Sequence, residues 1–70
     1  MRTTVVLTVN GDVREMPDGT TVSDVVSALE CGVRGIAVAV NLELIHRRDW
    51  PDTVLRDGDE VEVVHAAAGG

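Results

Sequence analysis

The most promising reactive group in this sequence is its last. Ala66-Ala67-Ala68-Gly69-Gly70 closes the chain without a charge, a branched Cβ or a bulky side chain. What it offers chemically is the carboxylate of Gly70. An α-carboxylate, with an ordinary pKa of about 3.5, is ionised at neutral pH and is a poor electrophile. It becomes useful only if another protein activates it. The residues before it suit that fate. Glycine has no Cβ, so backbone can thread where side chains cannot. Five stretched residues reach roughly 17 Å. Small residues also collect at frayed ends, but two closing glycines are roughly a one-in-two-hundred coincidence at average usage. A partner's channel would meet Ala66, Ala67, Ala68, Gly69 and Gly70.

Other candidate groups are weaker. Cys31 falls at the C-terminal end of a predicted helix, where the dipole disfavours a thiolate. An inert, partly buried thiol is the expectation. A single cysteine excludes an internal disulfide and a four-cysteine iron–sulfur site, and suggests a reducing compartment. His46, His65 and Cys31 make no recognisable metal spacing. No serine, histidine and carboxylate stand in an arrangement that suggests nucleophilic catalysis. The chain is therefore expected to be no enzyme and to hold no cofactor or metal. Asp57, Asp59, Glu60 and Glu62 form an acidic cluster, by default a solvated strand edge and alternatively a contact for a basic partner. Arg14, Arg47 and Arg48 read as surface charges. All six basic residues are arginines, so no side-chain amine could be acylated by an activated carboxyl end; compositional drift explains this equally well.

Seventy residues make one domain, with residues 1–65 as its body and 66–70 as a flexible tail. A chain this short buries only about 60% of its unfolded surface, so its core must be regular. The net charge of −6 argues against nucleic acid and towards basic partner surfaces. No apolar run approaches membrane-spanning length and the start, Met-Arg-Thr-Thr, has no signal-peptide pattern, so a cytoplasmic protein, monomeric when free, is expected.

The elements that must position the end follow from periodicity. Thr3 to Val9 alternates as a half-buried strand does. Asn10-Gly11 is a strong hairpin signal, since both residues tolerate positive φ. A second strand runs from Asp12 to Met16. Strict two-residue pairing puts Val9 opposite Asp12 and turns Val13 away from the Val5/Leu7/Val9 side, so the register stays open. Pro17-Asp18-Gly19 breaks the strand. Thr21 is an N-cap and Asp24, three residues on, makes an acidic capping box. Val22, Val25, Val26 and Leu29 share one helical face, Ser23, Ser27 and Glu30 point away, and the helix runs from Val22 to Cys31 with Gly32 closing it.

Ile36 to Val40 is nearly continuous in apolar character, as strands near the middle of a sheet are. Asn41 turns the chain into a short strand over Leu42–Ile45. Residues 46–52 are polar and broken by Pro51, and read as loop or a single turn. Trp50, the only aromatic residue, is expected to cover an end of the core. Arg56-Asp57-Gly58-Asp59 is a turn, and Glu60 to Val64 is the last strand, Val61 and Val63 inward and the glutamates outward. One helix on one face of a mixed sheet of four or five strands is the smallest two-layer arrangement that buries both apolar faces. It is the α+β pattern of the ubiquitin-like β-grasp, with the last strand inside the sheet. Val6, Ala37 and Ala39 would line the face away from the helix and, if exposed together, form a flat apolar patch for a protein contact.

The chain resembles the ThiS family of thiamine-biosynthesis sulfur carriers. The likeness spans the whole sequence. It is carried by Val9-Asn10-Gly11, Gly19-Thr20-Thr21-Val22, Val38-Ala39-Val40-Asn41, the run from Leu55 through Arg56-Asp57-Gly58-Asp59 to Val64, and Gly69-Gly70. Leu42 departs from it, since the family often has glycine after the asparagine. The resemblance implies that Gly70 is the working residue. An E1-like adenylyltransferase of the ThiF type would use ATP and Mg²⁺ to adenylate it, a persulfide donor would supply sulfur, and a thiazole synthase of the ThiG type would accept that sulfur from the thiocarboxylate. The rival readings are a carrier for molybdopterin or cysteine formation, a ubiquitin-like modifier that joins Gly70 to lysines, and a passive β-grasp binding domain.

Overall fold

The computed structural model describes residues 3–29 and 35–65. The expected helix end at Cys31, the cap at Gly32 and the tail 66–70 lie outside them. The described elements are β1 (Thr4–Val9), β2 (Asp12–Pro17), α1 (Val22–Leu29), β3 (Ile36–Val40), β4 (Glu43–Ile45), a 3-10 helix (Arg47–Asp52) and β5 (Glu60–His65). The strands form one mixed sheet in the order β2-β1-β5-β3-β4, so the last strand is the middle one. β5 runs parallel to β1 and antiparallel to β3.

The first hairpin takes the strict two-residue register. Val9 pairs with Asp12, and Asn10 and Gly11 both have positive φ, at 51° and 85°. Both central residues on that side of φ suit the right-handed twist of the flanking strands. Val13 consequently points outward and is 73% exposed. No bulge is needed, because β2 is an edge strand and its outward valine lies beyond the core.

The helix begins on a reciprocal capping box. Thr21 N donates to Asp24 Oδ2 at 3.0 Å, and Asp24 N donates to Thr21 Oγ1 at 3.2 Å. Two backbone donors at the open helix start are thereby satisfied. Val22, Val25 and Val26 are buried and Leu29 is partly so, whereas Ser27 is exposed. Valine is a mediocre helix former, so packing of this face holds the helix. The facing layer is Val5, Leu7, Val9, Val38 and Val61 from three adjacent strands, with Trp50 and Leu55 closing the core.

Residues 47–52 form a 3-10 helix rather than a loop or single turn. Its work is to seat Trp50, which is buried and donates from Nε1 to Ile45 O at 3.1 Å. Pro51 does not break so short an element, because few backbone N–H donors are used within it.

The second hairpin, between β3 and β4, repeats the tight geometry of the first. Val40 pairs with Glu43 across Asn41 and Leu42, whose φ values are 51° and 70°. The strand begins at Glu43 rather than Leu42 because Leu42 belongs to the turn. A leucine in left-handed backbone costs about 1–2 kcal/mol relative to ordinary backbone, because its Cβ crowds the following carbonyl.

Candidate functional site

The candidate site is the end of β5 and the sheet face that flanks it. The tail follows β5, so the immobility of β5 decides how firmly the tail's base is held. β3 pairs with β5 along its whole length, from Val40–Val61 to Ile36–His65. On the other side β1 pairs with it only at Thr8–Glu60 and Val9–Val61, because β1 ends at the hairpin. Asn10 continues that side. Its N–H donates to Val61 O at 2.9 Å, and its Oδ1 accepts from Val63 N at 2.8 Å. An amide side chain thus replaces the ladder bond that a longer β1 would have made.

Asn41 does the same at the start of β5. Its N–H donates to Glu60 O at 2.8 Å, its Oδ1 accepts from Glu60 N at 3.1 Å, and its Nδ2 donates to Asp59 Oδ1 at 3.0 Å. Two asparagines that sequence reasoning takes only as turn formers therefore clip β5 from opposite sides.

The acidic cluster divides into two kinds of residue. Asp57 and Asp59 build the turn into β5. Asp57 Oδ1 accepts from Val6 N at 2.7 Å, and Asp59 Oδ2 accepts from Arg56 N at 2.8 Å. Gly58, at φ 90°, donates its N–H to Val6 O at 2.7 Å and takes a backbone conformation that side chains rarely adopt. Glu60 and Glu62 instead stand exposed on the outer face of the sheet.

That outer face carries a shallow groove of about 230 Å³ lined by Ala37, Val38, Ala39, Leu44, Glu62 and Val64. The register explains it. Ala37 pairs with Val64 and Ala39 with both Glu62 and Leu44, so these side chains share the face away from the helix. Alanines at the two central positions leave a floor between Leu44, 59% exposed, and Val64, 54% exposed. The groove reaches Val64, the penultimate residue of β5. Val6 does not line this groove. β1 runs parallel to β5, and Val6 O accepts a backbone bond from Gly58 N, six positions before Val64. At about 3.3 Å per residue that offset is about 20 Å along the strands. Leu44 and Val64 are the groove residues that sequence reasoning passes over; the break in alternation at Val63-Val64 is the signal that could have found one of them.

Among the described residues, no cluster of histidine, cysteine and carboxylate side chains could hold a metal ion, and no helix is long and apolar enough to cross a membrane. His46 is exposed, beside the 3-10 helix. Ala66, Ala67, Ala68, Gly69 and Gly70, like Cys31, lie outside the described residues.

Comparison with known proteins agrees with this geometry. Residues 7–70 match the sequence model of the ThiS family. The chain is 39% identical over 61 residues to the sulfur carrier protein ThiS of Thermus thermophilus, covering 87% of this chain and 94% of that one. It is 31% identical over 64 residues to part of a thiazole synthase of Paramagnetospirillum magneticum, a match that spans 91% of this chain and 20% of that protein. The crystal structure of the thiamine biosynthesis protein ThiS from Geobacter metallireducens superposes with a TM-score of 0.74 at 33% identity, over 94% of this chain and all of that one. The five-stranded mixed sheet with its helix is the ubiquitin-like β-grasp of that structure.

Proposed function

The chain belongs to the ThiS family, and from that premise we propose how it works as a sulfur carrier of thiamine biosynthesis. The observation that supports this most is the joint one: 39% identity to a sulfur carrier over most of both chains, and a fold whose central strand is followed in sequence by Ala-Ala-Ala-Gly-Gly.

Gly70 is the working residue. An E1-like adenylyltransferase binds the tail and joins the Gly70 carboxylate to the α-phosphorus of ATP, releasing pyrophosphate. The stable anion becomes an acyl-adenylate, with Mg²⁺ and cationic groups of that enzyme steadying the phosphates. A persulfide sulfur attacks the acyl carbon and AMP leaves, giving an acyl disulfide. A thiol then cleaves the S–S bond, takes the donor as a mixed disulfide, and leaves the thiocarboxylate. A thiazole-synthase-type protein accepts the sulfur. The thiazole synthase match supports this last partner, because in that protein a segment like this chain is joined to the rest of the polypeptide. The chain itself contributes reach, slimness and a docking face, so it is a co-substrate and not a catalyst.

The groove of Ala37, Ala39, Leu44 and Val64 is the docking face of this proposal, because it reaches Val64 near the end of β5 and is apolar. The test is intact mass after incubation with ATP, the adenylyltransferase and a persulfide donor. One oxygen is replaced by sulfur, and fragmentation places the change on Gly70. In Gly70→Val the fold is unchanged by circular dichroism, but adenylation falls by at least about a hundredfold, since a branched Cβ does not enter a channel shaped for glycine. Normal adenylation of that variant would show the slimness argument to be wrong.

A further inference from the structure

Every basic residue of this chain is arginine, and the fold shows where that choice has chemical weight. β4 and β5 both run antiparallel to β3, so they head towards the same end of the sheet. Ile45 and Val63 pair with Val38 from its two sides. Arg47 stands two positions past Ile45, as His65 stands two past Val63. His46, which links Ile45 to Arg47, is extended at φ −67° and ψ 144°. Arg47 therefore comes level with the end of β5, two strand spacings or about 10 Å away. Arg48 follows it in the 3-10 helix, and both are exposed. Buried Trp50, bonded to Ile45 O, holds that helix in place. The other described arginines are distant. Arg14 pairs with Leu7, and Thr8 with Glu60, so Arg14 is level with Asp59. That is six positions before His65, about 20 Å down the sheet. Arg56 O accepts from Asp59 N, which puts Arg56 at the same far end.

Surface charge does not choose between arginine and lysine, but nucleophilicity does. A lysine amine, with a pKa of about 10.4, keeps a small neutral and nucleophilic fraction near neutral pH, whereas a guanidinium stays protonated. We propose that Arg47 and Arg48 reserve the activated Gly70 for sulfur, by keeping lysine away from the two basic positions beside the tail. This rests on the sulfur-carrier reading. The step avoided is attack of a lysine nitrogen on the Gly70 acyl carbon. A C–N bond forms, the C–O bond to AMP breaks, and the nitrogen gives its proton to water. The resulting amide closes the chain on itself and removes the carrier for good. Exposed His46 poses no such hazard, because an acyl-imidazole hydrolyses and returns the carboxylate. Reach makes these positions special. Five free residues of small side chain span about 12 Å on average, close to the gap to Arg47, and effective concentration is highest at such a match. The gap to Arg14 exceeds even the roughly 17 Å of five fully stretched residues.

The test moves one amine around the surface. Arg47→Lys, Arg48→Lys and Arg14→Lys are each prepared with Gly70 as a chemical thioester, so that no enzyme shields the tail. Arg47→Lys and Arg48→Lys cyclise with loss of the thiol, giving a product one water lighter than the free acid. They do so at least about tenfold faster than Arg14→Lys, and fragmentation links Gly70 to the substituted position. The unsubstituted chain only hydrolyses. In a second arm the free acids meet ATP and the adenylyltransferase without a sulfur donor, and ATP–pyrophosphate exchange reports activation. Arg47→Lys accumulates the same lighter product there, with release of AMP. No cyclisation of the Arg47→Lys and Arg48→Lys thioesters, or equal cyclisation at all three positions, overturns the proposal. So does enzymatic activation of Arg47→Lys without the lighter product. Failure of the unsubstituted chain to support exchange overturns the carrier reading instead.

Discussion

Two turns in this molecule make the same demand on the backbone and meet it with different residues. Asn10-Gly11 joins β1 to β2 and Asn41-Leu42 joins β3 to β4, each with two consecutive residues at positive φ. In each, asparagine comes first and reaches across to β5, Asn10 to Val63 and Asn41 to Glu60 and to Asp59 just before it. The second position differs. Gly11 is the residue that turn geometry selects, and Leu42 is one that it disfavours. Local backbone physics therefore explains the first turn completely. At the second it explains the asparagine and not the leucine.

Substitutions at the four positions sharpen that contrast. The largest loss is expected from Asn41→Ala, which removes the bonds to Glu60 N and Asp59 Oδ1 and the tolerance of asparagine for positive φ. Denaturant unfolding should show a loss of about 2 kcal/mol. Asn10→Ala gives up the same tolerance of positive φ but only one side-chain bond, and should lose less, about 1.5 kcal/mol. Equal losses would mean that the extra bond of Asn41 contributes nothing. Gly11→Ala comes next, at under about 1 kcal/mol, and tests the backbone term alone, since an added Cβ meets nothing within 4 Å. Leu42→Gly is the smallest change and has the opposite sign, a gain of about 0.5 kcal/mol. A loss there would show that Leu42 packs usefully within its own chain, and the contrast between the turns would disappear.

Much of the fold is legible in the sequence because its signals are local. The period of two in Val5, Leu7 and Val9, the Asn10-Gly11 dipeptide and the Thr21/Asp24 box act within a few residues of one another. What is not legible depends on partners far apart in the chain. The roles of Asp57 and Asn10 rest on bonds to Val6 and Val63, 51 and 53 positions away. The groove depends on the register of β3 against β5, which brings Ala37 to Val64 and leaves Val6 outside. The 3-10 helix is obscured by Pro51, whose breaking effect matters in longer helices and not in this one. For the tail the sequence itself speaks: Gly69 and Gly70 are significant by type, and the fold adds the held strand that leads to them.

The central claim is that Gly70 carries sulfur, and intact-mass measurement with ATP, the adenylyltransferase and a persulfide donor tests it most directly. The account predicts an oxygen-to-sulfur exchange confined to Gly70 and dependent on ATP. An unchanged mass with an adenylyltransferase that activates another ThiS carrier under the same conditions would contradict it.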